Sequence, residues 1–94
     1  MATRDPDPKE PAMLEIECVM HGALEDYLPG EREGNRIRLG FDSRPSVTDI
    51  LERLKIDPDE LQFVLADGRY IEWQHWGEPS RGNVLQFWPR ISGG

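Results

Sequence analysis

Residues 46–54, with the sequence SVTDILERL, form a stretch whose apolar side chains follow the period of a helix. One face of that helix carries all of its apolar residues: Val47, Ile50, Leu51 and Leu54. Ser46, followed three residues later by Asp49, is typical of a capping box at a helix N-terminus. The sequence therefore predicts a helix of about ten residues, which cannot continue through Pro58.

Two runs with the period of a strand precede this helix. Residues 14–20, LEIECVM, place four apolar side chains on one face: Leu14, Ile16, Cys18 and Met20. Residues 36–41, RIRLGF, alternate in the same way, with Arg36 and Arg38 opposite the apolar positions. A long loop with a short helical turn near residues 24–28 joins the two runs, and we predict that they pair as a hairpin.

Short strands also follow the helix. Residues 61–73, LQFVLADGRYIEW, predict two strands joined at Asp67 and Gly68, because both positions of such a turn favour positive φ. Residues 84–91, VLQFWPRI, predict a last strand with Leu85 and Phe87 on the core side. Pro89 ends regular pairing there or restricts it to an edge.

This order of elements provides a single amphipathic helix, which is enough to cover one face of one sheet. The first and last strands would then be parallel neighbours, with the helix in the crossover between them. We predict an α+β fold of the β-grasp (ubiquitin-like) type, a mixed sheet of four to five strands with one main helix packed on one face. A ferredoxin-like fold would need a second helix.

Composition limits the size and the class of the protein. The chain has 94 residues, which suits one domain. We predict that this β-grasp domain covers residues 13–91, that a disordered, proline- and charge-rich leader covers residues 1–12, and that a flexible tail covers residues 92–94. The net charge of -7 argues against nucleic acid as a partner and suits either basic partners or solubility alone. The sequence shows no apolar run of membrane-spanning length, and its single cysteine excludes an internal disulfide. We therefore expect a cytoplasmic protein.

The last four residues, ISGG, raise the question of whether they have a function. Glycine has no Cβ, so a Gly-Gly end is able to enter the narrow channel of an activating enzyme and leaves its carbonyl carbon open to attack. Such an end is also what a cloning remnant or a truncated linker leaves behind. Both readings follow from the four residues taken alone.

The preceding residues favour the functional reading. Residues 82–94, GNVLQFWPRISGG, resemble the end of the sulfur-carrier family of molybdopterin-synthase small subunits and thiamine-biosynthesis carriers (ThiS/MoaD-like). The positions that match are Gly82, Phe87, Trp88, Pro89, Ile91, Gly93 and Gly94. Asn83 replaces the usual Asp, and Arg90 replaces a second proline, which predicts a less stiff and charged tail. The helix, the central hairpin and the first loop are also similar to the family's.

The resemblance implies a sulfur carrier that is acted on by other enzymes. A ubiquitin-activating-type adenylyltransferase would use ATP to adenylate the carboxylate of Gly94, and a sulfurtransferase or cysteine desulfurase would supply sulfur for a thiocarboxylate. The sulfur would pass into a cofactor or metabolite, with a synthase large subunit as a possible further partner. The tail residues that would enter the partner's active site are Arg90, Ile91, Ser92 and Gly93. The chain itself would have no catalytic residue and no cofactor, so it would not be an enzyme.

Four other residues have side chains that suit a functional site. By alternation Trp88 points away from the helix-covered core, which makes it a candidate partner-interface residue; the alternative is that Trp73 or Trp76 covers it. Cys18 shares the inward parity of its neighbours and is expected in the core rather than as a sulfur-bearing group. The histidines of the chain, His21 and His75, are too few for a metal site.

Two further functions remain open from the sequence. The chain could be a ubiquitin-like modifier joined through Gly94 to a lysine of another protein, since modifiers and sulfur carriers share the adenylation step. It could also be a β-grasp interaction domain with an inert tail.

Overall fold

The computed structural model describes residues 14–30 and 32–90. Within these ranges the chain forms five strands, one α-helix and three short 3₁₀ segments. Their order is β1 (Leu14–Met20), a 3₁₀ segment (Gly22–Tyr27), β2 (Arg36–Phe41), α1 (Val47–Leu54), a 3₁₀ segment (Pro58–Glu60), β3 (Leu61–Ala66), β4 (Arg69–Ile71), a 3₁₀ segment (Trp73–His75) and β5 (Val84–Pro89). The predicted leader, residues 1–12, and the predicted tail, residues 92–94, lie outside the described residues.

The strands form one mixed sheet in the order β2-β1-β5-β3-β4. β1 and β5 are parallel, whereas the other neighbouring pairs are antiparallel. Parallel neighbours need a long crossover, and α1 lies in the chain segment that connects them. This topology is the predicted β-grasp roll, with β5 at the centre of the sheet.

The start of α1 is the predicted capping box. The backbone N–H of Asp49 donates to Oγ of Ser46, and the backbone N–H of Ser46 donates to Oδ2 of Asp49, each over 3.0 Å. These reciprocal bonds satisfy backbone donors that a helix start would otherwise leave unpaired.

The end of α1 comes earlier than predicted, so the helix has eight residues rather than about ten. Lys55 adopts the left-handed conformation, with φ of 61°. Its N–H donates to the carbonyl of Glu52, and the next N–H, that of Ile56, donates to the carbonyl of Leu51. This pattern closes a helix without glycine. The left-handed turn at Lys55, rather than Pro58, is what ends the helix.

The core lies between α1 and one face of the sheet. It contains most of the predicted inward residues of the helix and the strands, including Ile16, Met20, Ile50, Leu51, Leu85 and Phe87, which are all at most 1% exposed. Leu14 and Phe41, which were also predicted to face inward, are only partly buried. Cys18 is also fully buried, as predicted. Burial of these apolar side chains is the main force that holds α1 on the sheet.

The hairpin between β3 and β4 turns at Asp67 and Gly68, whose φ values are 50° and 85°. Oδ1 of Asp67 accepts from the backbone N–H groups of Asn83 (3.1 Å) and Val84 (2.9 Å), which joins this turn to the start of β5. Gly82 allows that close approach, because a Cβ there would stand 2.9 Å from Cβ of Ala66. The predicted turn therefore also fixes where the central strand begins.

Candidate functional site

The point where the chain leaves the sheet is set by the end of β5. Pro89, the last residue of this strand, lies opposite Leu61 at the start of β3, and the register shifts between Leu61 and Phe63. Because Pro89 comes at the strand's end, its missing N–H interrupts no central pairing. The chain thus leaves from the middle of the sheet, between two neighbouring strands.

Arg90, the next residue, is fixed to the 3₁₀ segment Pro58–Glu60 by two hydrogen bonds. Its backbone N–H donates to the carbonyl of Glu60 over 2.9 Å, and its side-chain Nε–H donates to the carbonyl of Asp59 over 2.7 Å. We call this pair of bonds the Arg90 clamp. The predicted loss of stiffness concerns the tail beyond this point, residues 91–94, which lies outside the described residues and stays a prediction.

The loop after β1 closes on the end of β5 from the opposite side. The backbone N–H of His21 donates to the carbonyl of Phe87 over 3.0 Å. Gly22 has a φ of 59°, and a Cβ there would stand 3.0 Å from Cγ of Pro89. A residue with a side chain at position 22 would press on the strand at the exit point.

Trp88 lies on the helix-free face, as alternation with the fully buried Phe87 predicts. It is half-buried, and the rings against it are those of His21 and Phe63. The indole and the His21 imidazole are stacked with centroids 3.8 Å apart, and Phe63, directly opposite on β3, has its centroid 5.7 Å away.

Neither of the two tryptophans that the sequence offered as covers for Trp88 is among the rings that stack on it in the described residues. Trp73 is 73% exposed. Trp76 packs against the core, and its Nε1–H donates to the carbonyl of Ile71 over 3.1 Å. The alternative reading of Trp88 is thus wrong about which residues cover it, although it is right that the indole is partly covered.

Four rings form a continuous line across the helix-free face, which we call the aromatic row: Tyr70, Phe63, Trp88 and His21. Tyr70, on the edge strand β4, is 60% exposed, and its centroid lies 6.3 Å from that of Phe63. The row runs from the edge of the sheet to the exit of β5. The aromatic row could hardly be predicted from the sequence. β3 is apolar on both faces, so alternation does not show on which face Phe63 lies, and the contact of Phe63 with Trp88 depends on the pairing of β3 with β5.

Charged residues occupy the other half of the same face. Arg36 on β2 forms an ion pair of 2.7 Å with Glu17 on β1, and Arg38 and Glu15 share that face by alternation. The helix-free face is thus aromatic over β5, β3 and β4 and charged over β1 and β2. Aromatic surface with a charged margin is the composition typical of a protein-binding patch.

The remaining titratable candidates do not form a reactive centre. Burial raises the pKa of the Cys18 thiol to about 12, an effect that Arg53 opposes and Glu17 adds to. His75 is exposed, and its hydrogen bond to Glu78 raises its pKa above the usual value. Among residues 14–30 and 32–90, no three His, Cys, Asp or Glu side chains come together in a way that could hold a metal ion.

The residues that the sequence assigns to the reaction lie beyond the exit. Gly94 and three of the other predicted tail residues, Ile91, Ser92 and Gly93, are outside the described residues. Four residues span at most about 13–14 Å when extended. Gly94 therefore lies within that distance of Arg90, whatever course the chain follows.

The model of the family described as Mut7-C ubiquitin matches residues 13–92, most of the chain. No curated protein and no solved structure matches the sequence. The match confirms the ubiquitin-like half of the resemblance, whereas the sulfur-carrier half stays a prediction. In the part of the chain that the structure describes, no helix is both long and apolar enough to span a membrane.

Proposed function

Because the chain belongs to the Mut7-C ubiquitin family, we propose that it is a sulfur carrier whose reactive group is the carboxylate of Gly94. A partner adenylyltransferase activates that carboxylate, and a sulfur donor converts it to a thiocarboxylate. The sulfur then passes into a cofactor or metabolite. The chain supplies a carboxylate and a docking surface, and its partners perform the catalysis.

The observation that carries this proposal is the position of the exit beside the aromatic row. Trp88 is two residues before Arg90, so a partner that contacts the row is already next to the segment that leads to Gly94. The Arg90 clamp fixes where that segment starts. A carrier acted on by another enzyme needs both features, a surface to be recognised and a reactive segment that starts from a constant place.

The proposed chemistry starts with attack of the Gly94 carboxylate oxygen on the α-phosphate of ATP, which releases pyrophosphate and leaves an acyl-adenylate. A persulfide on the sulfur donor then attacks the carbonyl carbon, and AMP departs. A second thiol of the donor cleaves the resulting sulfur–sulfur bond, so that the donor ends as a disulfide and the carrier as a thiocarboxylate. No side chain of the carrier is needed in any of these steps.

The proposal names the partners by their chemistry. They are an adenylyltransferase of the ubiquitin-activating type, a sulfurtransferase or cysteine desulfurase and, for the final transfer, a synthase large subunit. We propose the cytoplasm as the compartment, since its reducing conditions keep thiols available. ATP enters as the partner's substrate, and the carrier needs no cofactor of its own.

A second candidate function is that of a non-catalytic interaction domain. The exposed ring of Tyr70 and the half-buried ring of Trp88 favour it, because a docking surface does not depend on Gly94. A ubiquitin-like modifier is the third possibility and shares the adenylation step. An isopeptide bond between Gly94 and a lysine of another protein would identify it.

The intact mass of the protein purified from its own cells tests the proposal. We expect a species in which one oxygen of the Gly94 carboxylate is replaced by sulfur, and its loss when Gly94 is deleted. The measurement also shows whether Gly94 carries a free carboxylate, which the proposal requires. A mass without sulfur, together with no adenylate formed from ATP by any partner, would favour the interaction domain.

A further inference from the structure

The Arg90 clamp joins the exit of β5 to a segment far away in sequence. Its two acceptors are the main-chain carbonyls of consecutive residues, Asp59 and Glu60, so both bonds depend on the conformation of one 3₁₀ segment. Arg90 has no other hydrogen bond among the described residues. The direction of the chain at residue 90 is thus tied to the segment Pro58–Glu60.

That segment is itself well braced. Oδ1 of Asp57 accepts from the backbone N–H of Asp59 over 2.9 Å, which caps the segment. Pro58 occupies its first turn and fixes φ there. The hydroxyl of Tyr27 donates to Oε2 of Glu60 over 3.1 Å, which adds a link to the loop after β1.

From this geometry we propose that Arg90 is a positioning residue, which sets the direction in which residues 91–94 leave the sheet. This inference rests on the proposed function, because the group being positioned is the carboxylate of Gly94. Arg90 acts through the segment Pro58–Glu60 and not by touching the reacting atoms.

The length of the exit segment makes its direction important. Because only four residues separate Arg90 from Gly94, the place and direction in which the segment starts limit the volume that the carboxylate can reach. A misplacement near 1 Å at a reacting centre costs about a hundredfold in rate. The clamp narrows the range of directions from which the partner must capture Gly94.

The two bonds need an arginine or a close substitute. Proline would fix φ at this position, but it has neither the backbone N–H nor a side-chain donor. Alanine keeps the backbone bond to Glu60 and loses the side-chain bond to Asp59. Lysine keeps a backbone donor and a charged side-chain donor, so Arg90→Lys is the conservative variant and Arg90→Ala the disruptive one.

The first measurement needs no partner. ¹⁵N relaxation of the amides of Ile91 and Ser92 is compared among the wild-type chain, Arg90→Ala and Arg90→Lys. We expect a clear fall of the heteronuclear NOE at these amides in Arg90→Ala, near-wild-type values in Arg90→Lys and no change at Val64 in the core. Equal values at Ile91 and Ser92 in all three proteins would overturn the clamp.

The second measurement uses ATP and the adenylyltransferase that activates the wild-type chain. We expect Arg90→Ala to lower kcat of adenylation about tenfold with KM for the carrier unchanged, and Arg90→Lys to retain most of the activity. Asp57→Ala removes the cap of the segment Pro58–Glu60 and should also lower kcat of adenylation. Asp57→Asn keeps a side-chain acceptor for the cap, so its kcat should stay close to that of the wild-type chain. A rise in KM at constant kcat would show instead that Arg90 contacts the partner directly.

The two measurements separate this inference from the proposed function. A wild-type chain that no partner adenylates overturns the sulfur-carrier proposal, and the relaxation data still decide whether Arg90 directs residues 91 and 92. Normal adenylation with unchanged relaxation in Arg90→Ala overturns the positioning role alone.

Discussion

The indole of Trp88 lies flat against the imidazole of His21, with ring centroids 3.8 Å apart and ring planes 13° from parallel. This contact joins the end of β5 to the residue that follows β1. His21 also contacts β5 through Nε2, which lies 3.1 Å from Oε1 of Gln86. Trp88 is thus part of the structure of the exit as well as a candidate docking residue.

Trp88→Ala should therefore lower both stability and partner affinity. Loss of the contacts with His21 and Phe63 should reduce the free energy of unfolding by about 1–3 kcal/mol, less than for a fully buried ring. Affinity for the adenylating partner should fall by about 2 kcal/mol or more. Urea denaturation measures the first effect, and calorimetric titration of the folded variant measures the second.

Two variants serve as comparisons for Trp88→Ala. Trp73→Ala removes an exposed indole outside the aromatic row and should change neither quantity by more than about 0.5 kcal/mol. Trp88→Phe keeps a ring between His21 and Phe63 and should recover most of the stability. Unchanged affinity per folded molecule in Trp88→Ala would assign this residue to the fold alone.

The fold follows from the sequence because its signals are local and agree with one another. The spacing of Val47 and Ile50, the capping box at Ser46 and the turn at Asp67 each depend on residues within a few positions. The early end of α1 could not be predicted from the sequence. Glycine is the usual sign of a left-handed residue at the end of a helix, and here Lys55 adopts that conformation instead. That conformation is stabilised by hydrogen bonds to the last turn rather than by the residue type.

Cys18 should not react in the folded protein. Its burial raises the thiol pKa to about 12, so at neutral pH almost no thiolate is present, and the sulfur is enclosed by the core. Iodoacetamide should label Cys18 only after unfolding in denaturant. Rapid labelling under native conditions would mean that the core around it opens.

Cys18→Ala separates the thiol from the carboxylate as the group that carries sulfur. Removal of one buried sulfur atom should cost about 1 kcal/mol of stability through the cavity it leaves. Thiocarboxylate formation per folded molecule should not change, because the proposed acceptor is Gly94. Loss of sulfur from a variant that remains folded would assign the sulfur to Cys18 and overturn the proposed site.

His75 gives a pH-dependent signal that belongs to the surface and not to the site. Its pKa is raised above 6.5 by the hydrogen bond to Glu78 and by the charge of that carboxylate. Because the pKa is raised in the folded state, the contact between protonated His75 and Glu78 adds to the free energy of unfolding. That contribution is fully present below about pH 6.5 and is lost as the pH rises through the raised pKa. Proton NMR titration should show that Glu78→Gln lowers the pKa of His75, and an unchanged pKa would mean that the contact does not form in solution.

The candidate site was only partly predictable for a physical reason. Alternation with Phe87 was enough to place Trp88 on the helix-free face. The contacts of Trp88 with His21 and Phe63, and of Arg90 with Asp59 and Glu60, join residues about 25 to 67 positions apart along the chain. Such contacts depend on sheet register, and the register shift between Leu61 and Phe63 alters which side chains face each other.

Changing the length of the chain after Arg90 tests the function most directly. Deletion of Gly94 moves the terminal carboxylate back by one extended step of about 3.3–3.6 Å, far more than the displacement of roughly 1 Å that costs a hundredfold in rate. The fold should not change, since the sheet, α1 and the core described above are formed by residues 14–30 and 32–90. The variant should therefore unfold at the wild-type midpoint and bind the partner through the aromatic row, yet form no adenylate. One added residue after Gly94 should have the same effect, and normal adenylation of both variants would show that the position of the carboxylate is not what the partner recognises.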